Sequence, residues 1–576
     1  MVDPPNLQLK QSDNALTTAN WPRLMAAAWS LSPSLALAFG LRFPALDAVQ
    51  IYLTQKIASN AAEPSIQMLP KAVRYLIGSK GKQSNFSFLS TWATVGLSEA
   101  IHLMTMPSGR HPLVVKYVLR SLQSCDPEEI AFFLPQLVQS LRHDPDGLIE
   151  QFLLEEGRRS VYFAYLLESQ LASEGTPPPE AFNPSVKRSN WSPPVDTGLW
   201  VTADRVRGSL WETMTEEVGR ALQAEVTFFK EVTDVSGKLY PIPKAERKSA
   251  AEEFTSKIAI PEQPIFMPTN PHARVISIKP ESATPMQSAA KCPILVAFEV
   301  EKTLPGQSMP ATVVDAAIFK VGDDCRQDLL ALQVIALLKK QFDGAKLHLP
   351  LVPYGVVPTG HECGIIQVVP HAKSRAQLGE LTDGGLFDIF QREFGFPGSP
   401  HFEAARSEFI SSCAGYAVAS YILQAKDRHN GNIMLDNRGR IIHIDFGYIL
   451  GISPGGNMGF ESAAFKLSYE MTQLLDPGNT RNSEHFIRFQ ELCVKGYLAA
   501  RTIADEIIDT VAMSEGSKLP CFSRGGSINA LRKRFHLEMT DSQAAVYMRR
   551  LILDAYDKWT TGVYDLIQYY QNRIPK

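Results

Sequence analysis

Apolar side chains in the first third of the chain recur at helical spacing. Ile130, Phe133, Leu134, Leu137 and Leu141 fall at i, i+3, i+4, i+7 and i+11, which is one face of a helix. Similar amphipathic stretches cover 45–58 and 148–169, and turns such as Asp144-Pro145-Asp146-Gly147 separate them. The pattern predicts an α-solenoid-like helical domain of antiparallel helix pairs over residues 1–172. The uncharged stretch 24–41 approaches membrane-spanning length, but it contains Pro33 and is followed by Arg42 and Pro44, so it reads as a buried helix pair.

Residues 173–271 read as a linker. Pro177, Pro178, Pro179, Pro184, Pro193 and Pro194 preclude regular structure at its start, whereas Val206, Leu210, Met214, Val218, Leu222 and Val226 recur every four residues and predict one long helix. At Ala273 the period changes. ARVISIK, ILVAFEVE and DAAIFKV are β-branched or aromatic runs with breaks between them, predicting antiparallel strands. A helix over about 324–341 and extended runs at 349–353 and 364–369 complete a small mixed lobe, 272–370, and 371–576 reads as a mainly helical lobe. The fold class expected is therefore α+β.

Composition narrows the function. Lys plus Arg (57) nearly balance Asp plus Glu (60), a net charge of −3, which argues against a nucleic-acid binder held by a global positive field. Seven cysteines without a CxxC pair fit a reducing compartment better than a disulfide framework or zinc module. With 45% hydrophobic residues the chain is no disordered polymer, and its first residues lack the pattern of a secretory signal, so the sequence predicts a cytoplasmic location.

The densest chemistry lies in KDRHNGNIMLDNRGRIIHIDFG, residues 426–447. Its two apolar runs flank the turn Asp436-Asn437-Arg438-Gly439 and read as a β-hairpin, which folds its ends together. Asp427 and Asn432 precede the hairpin and Asp445 follows it, so these oxygen ligands become neighbours. Mg²⁺ takes hard oxygens, one or two carboxylates and phosphate oxygens, and Asn432 with Asp445 supplies a protein share. The offsets match the kinase catalytic loop, where an Asp precedes a metal-binding Asn by about five residues and DFG follows on the next strand, although the order here is DRH.

Phosphoryl transfer also needs a cation on the nucleotide phosphates. Lys320 lies in the strand DAAIFKV, before a turn and a helix with Asp328 in its first turns, within reach to orient an ammonium. Neither GxxxxGKS nor GxGxxG occurs, so a P-loop NTPase and a protein kinase with the usual glycine-rich loop lose support. The remaining candidate to cover the phosphates is Gln287-Ser288-Ala289-Ala290-Lys291, where small residues admit backbone N–H groups and Lys291 adds charge; an ordinary hairpin turn is the alternative.

Together SAAKCP (288–293), FKVGDDCRQD (319–328), PYG (353–355), IIQVVP (365–370), DRHNGN (427–432) and HIDFG (443–447) resemble the phosphatidylinositol 3- and 4-kinase family. TDGGLFDIF (382–390), SPGGNMGFESAAFKLSYEMTQLLDP (453–477) and KGYLAARTIADEI (495–507) look closest to its type III alpha phosphatidylinositol 4-kinases. The resemblance implies an accessory helical (PIK) domain and a two-lobed protein-kinase-like catalytic domain, and a chain corresponding to the C-terminal portion of a longer enzyme. It implies ATP between the lobes, with adenine against Gln367, Val368 and Val369 and Tyr354 lining the pocket. Ser288, Lys291 and Lys320 would face the phosphates and Asp328 would orient Lys320. Asn432 and Asp445 would hold Mg²⁺, with Mn²⁺ as an alternative, and Asp427 and His429 would surround the attacking hydroxyl. The implied reaction is transfer of the ATP γ-phosphoryl group to the 4-hydroxyl of phosphatidylinositol. A related large protein kinase and a catalytically weak scaffold are the competing readings.

Two further features bear on substrate and location. Residues 448–468 contain Lys466 as their one cation, which suits a lipid without ring phosphates. At the C-terminus Val563, Leu566, Ile567, Tyr570 and Ile574, with Trp559 before them, form a helical apolar stripe. Such a stripe predicts peripheral contact with the plasma membrane or another cytosolic membrane face; packing in the core is the alternative. The run Arg532-Lys533-Arg534 reads either as an anionic-surface contact or as a solvated loop. Protein scaffold partners are expected through the helical region.

Overall fold

The computed structural model describes residues 20–43, 46–78, 86–175, 197–286, 292–304, 306–380, 384–454 and 463–556. The architecture is α+β, and the chain divides into two compact units, residues 1–130 with 143–152, and residues 131–142 with 153–576. In the first unit the 24–41 stretch folds as two helices, Trp21–Leu31 and Pro33–Arg42, broken at the extended Ser32 before Pro33. Further helices, among them Asp47–Ser59, Leu97–Thr105 and Pro112–Leu122, bury Val49, Leu53, Ile57, Trp92 and Val118. Among the described residues no helix is long and apolar enough to cross a membrane.

In the second unit the long helix expected over 206–226 is two helices, Thr197–Thr213 and Glu216–Leu239. Thr215 takes extended backbone and its side chain accepts from Val218 N–H (3.4 Å), with Glu216 and Glu217 in the first turn, so a cap restarts the helix without disturbing the apolar spacing. This second helix is no free connector: Phe228 and Phe229 pack on Phe298, and Phe229 stacks on Phe319 at 6.5 Å between ring centroids. Similarly, the apolar face read through Ile130 to Leu141 is buried but not one helix. Pro127–Ala131 ends before Leu134–Ser140 begins, with Pro135 in the first turn of the latter.

The strands of the small lobe are β1 (Phe266–Met267), β2 (Asn270–Pro285), β3 (Ile294–Thr303), β4 (Pro310–Val321), β5 (Val356–Gly360) and β6 (Cys363–Gln367). They form one antiparallel six-stranded sheet in the order β1-β2-β3-β4-β6-β5. The apolar run 349–353 is not a strand; Pro350 and Pro353 lack the N–H a ladder requires, and pairing starts at Val356. The helix Arg326–Gly344 follows β4 and joins the core of the larger lobe, whose centre is the helix Pro400–Leu423, buried at every position from Phe409 to Leu423. A small sheet, β7 (Ala372–Ser374), β8 (Ile433–Asp436) and β9 (Ile441–His443), carries the 426–447 segment.

Candidate active site

The hairpin does what its sequence predicts. Ile433 pairs with His443, Met434 with Ile442 and Leu435 with Ile441. Asp436 Oδ1 accepts from Arg438 N–H and Arg440 N–H, both at 2.9 Å, and Gly439 closes the turn at φ +86°. Beyond the ladder Ile444 N–H donates to Asn432 O (3.1 Å), so Asn432 and Asp445 lie together at the open end.

Asp427 (φ +61°) and Asp445 (φ +59°) both take left-handed backbone, which costs a non-glycine residue about 1–3 kcal/mol and persists only where neighbours impose it. Arg428, 3% exposed, is one such neighbour. Its guanidinium donates to Lys426 O (2.9 Å), Ile444 O (2.7 Å) and Asp445 O, and lies 5.2 Å from the centroid of Phe446. Asn432 Nδ2 donates to Asp427 O (2.9 Å), which fixes the amide orientation and leaves Oδ1 as an acceptor.

His429 Nδ1 accepts from Gly431 N–H (3.0 Å), so the neutral ring carries its proton on Nε2, 4.0 Å from Asp427 Oδ2. Burial lowers its pKa below 6.5 despite the opposing charge of Asp427, keeping the ring neutral at neutral pH.

Lys320, opposite Gly364 in the β4–β6 ladder, has Nζ 3.4 Å from Asp323 Oδ2. Burial disfavours its charge, but the carboxylates of Asp328, Asp445 and Asp323 outweigh burial and raise its pKa above 10.5. Asp328 is buried at the start of the Arg326 helix, where its Oδ1 accepts from Phe446 N–H (2.6 Å); burial and then Asp445 raise its pKa. Strand, helix and DFG segment are thus joined by one field.

Tyr354, 6% exposed, accepts through its hydroxyl from Asp445 N–H (3.3 Å). Gln367 Oε1 accepts from Gly355 N–H (2.9 Å) and Val368 N–H donates to Ala316 O (3.0 Å), while Val369 is buried. Ser288 and Lys291 lie outside the described residues, as do Trp559, Val563, Leu566, Ile567, Tyr570 and Ile574. Lys466 Nζ donates to Asn430 Oδ1 (3.4 Å), which brings that cation to the catalytic loop. The basic run at 532–534 is not a loop: it ends the helix Ser527–Arg534, and Arg534 is buried with Nε donating to Ile422 O (2.7 Å).

Among the described residues no group of three or more His, Cys, Asp or Glu side chains is arranged to hold a metal ion. The pair Asn432 and Asp445 fits a hard cation that keeps waters and phosphate oxygens in its shell, because Asn432 Oδ1 is left as an acceptor beside a carboxylate. Sequence reasoning missed the use made of Arg428 and of Gln327, whose side chain reaches the DFG backbone; their only signal was membership of DRH and RQD.

The family model described as "Phosphatidylinositol 3- and 4-kinase" matches residues 316–524, and that of the "Phosphoinositide 3-kinase family, accessory domain (PIK domain)" matches 49–183. Among similar proteins, phosphatidylinositol 4-kinase alpha 1 of Arabidopsis thaliana is 45% identical over 567 residues, 97% of this chain and 27% of its own length. Phosphatidylinositol 4-kinase alpha 2 of the same plant is 48% identical over 429 residues, 74% of this chain and 78% of its own. Phosphatidylinositol 4-kinase STT4 of Saccharomyces cerevisiae is 38% identical over 491 residues, covering 84% of this chain and 25% of its own. The chain thus spans about a quarter of the length of two of these three relatives.

Proposed function

The chain belongs to the phosphatidylinositol 3- and 4-kinase family, and on that premise we propose that it is a phosphatidylinositol 4-kinase. The single observation that carries the reading is the β8–β9 hairpin, which gathers Asp427, His429, Asn432 and Asp445 at one end, electrostatically coupled to Lys320 and Asp328. ATP is the donor. Lys320 binds its phosphates, Asp328 orients Lys320, and the segment Gln367, Val368, Val369 with Tyr354 forms the adenine side of the cleft. Asn432 and Asp445 hold a divalent cation, Mg²⁺ or alternatively Mn²⁺, which supplies positive charge to the phosphates when bound.

The lipid 4-hydroxyl oxygen bonds to the γ-phosphorus as the bond to the β-phosphate oxygen breaks, ADP leaves, and the hydroxyl proton passes to Asp427. His429 serves as an N–H donor in this scheme, because its Nδ1 is taken by Gly431 N–H. The absence of any cation but Lys466 over 448–468 favours phosphatidylinositol over lipids with ring phosphates, and the names of the relatives support the 4-position. We assign residues 1–172 to the helical accessory domain, 173–271 to a linker whose Glu216–Leu239 helix packs on the small lobe, 272–370 to the small lobe and 371–576 to the large lobe. Action is peripheral, at the cytosolic face of the plasma membrane or another membrane, with 559–574 as a contact and the helical region as a site for protein scaffolds.

Vesicles containing phosphatidylinositol, its monophosphates or neither, offered with a peptide mixture and Mg-ATP, test this reading. Phosphate should appear on phosphatidylinositol alone. Phosphorylation of peptide in preference to lipid overturns it.

A further inference from the structure

Gln327 is the second residue of the Arg326 helix and is 3% exposed. A buried glutamine amide offers two donors and an acceptor, and each needs a partner. Here Nε2 donates to Phe446 O (3.1 Å) and to Gly447 O (2.6 Å), while Oε1 accepts from Cys521 N–H (2.9 Å). The amide cannot be reversed, because the flipped oxygen would face two carbonyls and the flipped nitrogen a donor.

These contacts bear on Asp445. Gly447 N–H donates to the Asp445 carboxylate at Oδ1 (3.2 Å), so the peptide that aims this carboxylate belongs to the residue whose carbonyl Gln327 holds. The next helix residue, Asp328, takes Phe446 N–H. Consecutive residues of one helix therefore bind both polar groups of Phe446, just past the left-handed Asp445. On its other side the helix is moored by Arg326 to Glu174 (2.8 Å) and Asp324 (2.7 Å), and by the reciprocal amide pair Gln333 and Gln136 (2.8 and 3.0 Å). The helix is thus a fixed post, and Gly447 without the tie would have the freedom of a glycine.

We propose that Gln327 is a positioning residue that fixes the Asp445 carboxylate by fastening the Phe446 and Gly447 carbonyls to the Arg326 helix. The consequence for catalysis rests on the kinase reading above; the tie itself does not.

Two variants test it, Gln327→Glu, which keeps the acceptor for Cys521 but sets oxygen against both carbonyls, and Gln327→Met, which keeps bulk without polarity. Hydrogen–deuterium exchange of 446–450 is measured without nucleotide, and vesicle-assay rates are titrated with Mg²⁺ at saturating ATP. Exchange at 446–450 should rise about tenfold or more. The half-saturating Mg²⁺ concentration should rise about fivefold or more, and kcat should fall about tenfold to a hundredfold, with melting near the parent's. Unchanged exchange in both variants overturns the tie. Raised exchange with unchanged Mg²⁺ dependence, or kcat loss only in proportion to unfolded protein, overturns the positioning role. A parent chain with no Mg²⁺-dependent transfer refutes the kinase reading and with it the catalytic role, while the exchange result still decides the tie.

Discussion

Glu225 places a single titrating proton inside the packing of the small lobe. It lies on the Glu216–Leu239 helix, is 4% exposed, and accepts Phe266 N–H at Oε1 (2.9 Å). Burial raises its pKa from 4.5 to about 7 against the opposing Phe266 N–H. A carboxyl whose folded pKa exceeds its unfolded one favours the fold below about pH 4.5, and this advantage is lost as pH rises through about 7. The difference, about 2.5 pH units at ~1.4 kcal/mol each, is about 3.5 kcal/mol above pH 7. Glu225→Gln keeps the acceptor for Phe266 but adds an amide NH₂ that needs a partner, at about 1 kcal/mol, leaving a gain of about 2.5 kcal/mol. For the unit holding the small lobe, at about 2 cal/mol/K of unfolding entropy per residue, this corresponds to about 2–3 °C. Melting of parent and variant from about pH 5 to about pH 8.5 should give curves that nearly coincide near pH 5, separate progressively up to about pH 7, and keep a constant gap above it. Parallel pH dependences between about pH 5 and pH 7 would show that Glu225 does not hold its proton in the fold.

Other outcomes follow from the same geometry. Because carboxylates raise Lys320 above 10.5, a Lys320→Met chain should turn over about a hundredfold more slowly or worse, with an alkaline pH profile parallel to the parent's; a parent-only alkaline limb below about pH 9 would contradict this. Asp427→Asn should lower kcat by about 10²–10⁴, whereas His429→Gln, which retains a donor, should stay within about tenfold; the reverse order in initial rates would move the proton to His429. Gly439→Ala should destabilise the hairpin by about 1–3 kcal/mol, read as a lower melting temperature, since its Cβ would meet Ala405 O at 2.8 Å at a φ of +86°. A melt equal to the parent's would show that the turn relaxes.

What could be read from the sequence was local. Period-two alternation around Ala273–Val321 and the turn at 436–439 give the sheet and hairpin, because strand periodicity and a tight turn are written in adjacent residues. The break at Thr215 was hidden because Met214 and Val218 keep the helical apolar interval across a cap. Tertiary partners more than about a hundred residues apart were not legible. Gln327 meets Phe446 across 119 residues and Arg534 meets Ile422 across 112, and nothing in either neighbourhood marks those approaches. Likewise DRH marks Arg428 as part of a motif, yet its function of holding Ile444 O and Asp445 O appears only once the hairpin has closed.

The most direct test of the central claim is the rate at which the purified chain forms phosphatidylinositol 4-phosphate on vesicles with Mg-ATP, measured beside Asp445→Ala with the phosphorylated position identified. Product at the 4-position is expected from the parent, with a loss of about a thousandfold or more in the variant and melting preserved. Equal rates in the two chains, or phosphate at another ring position, would contradict it.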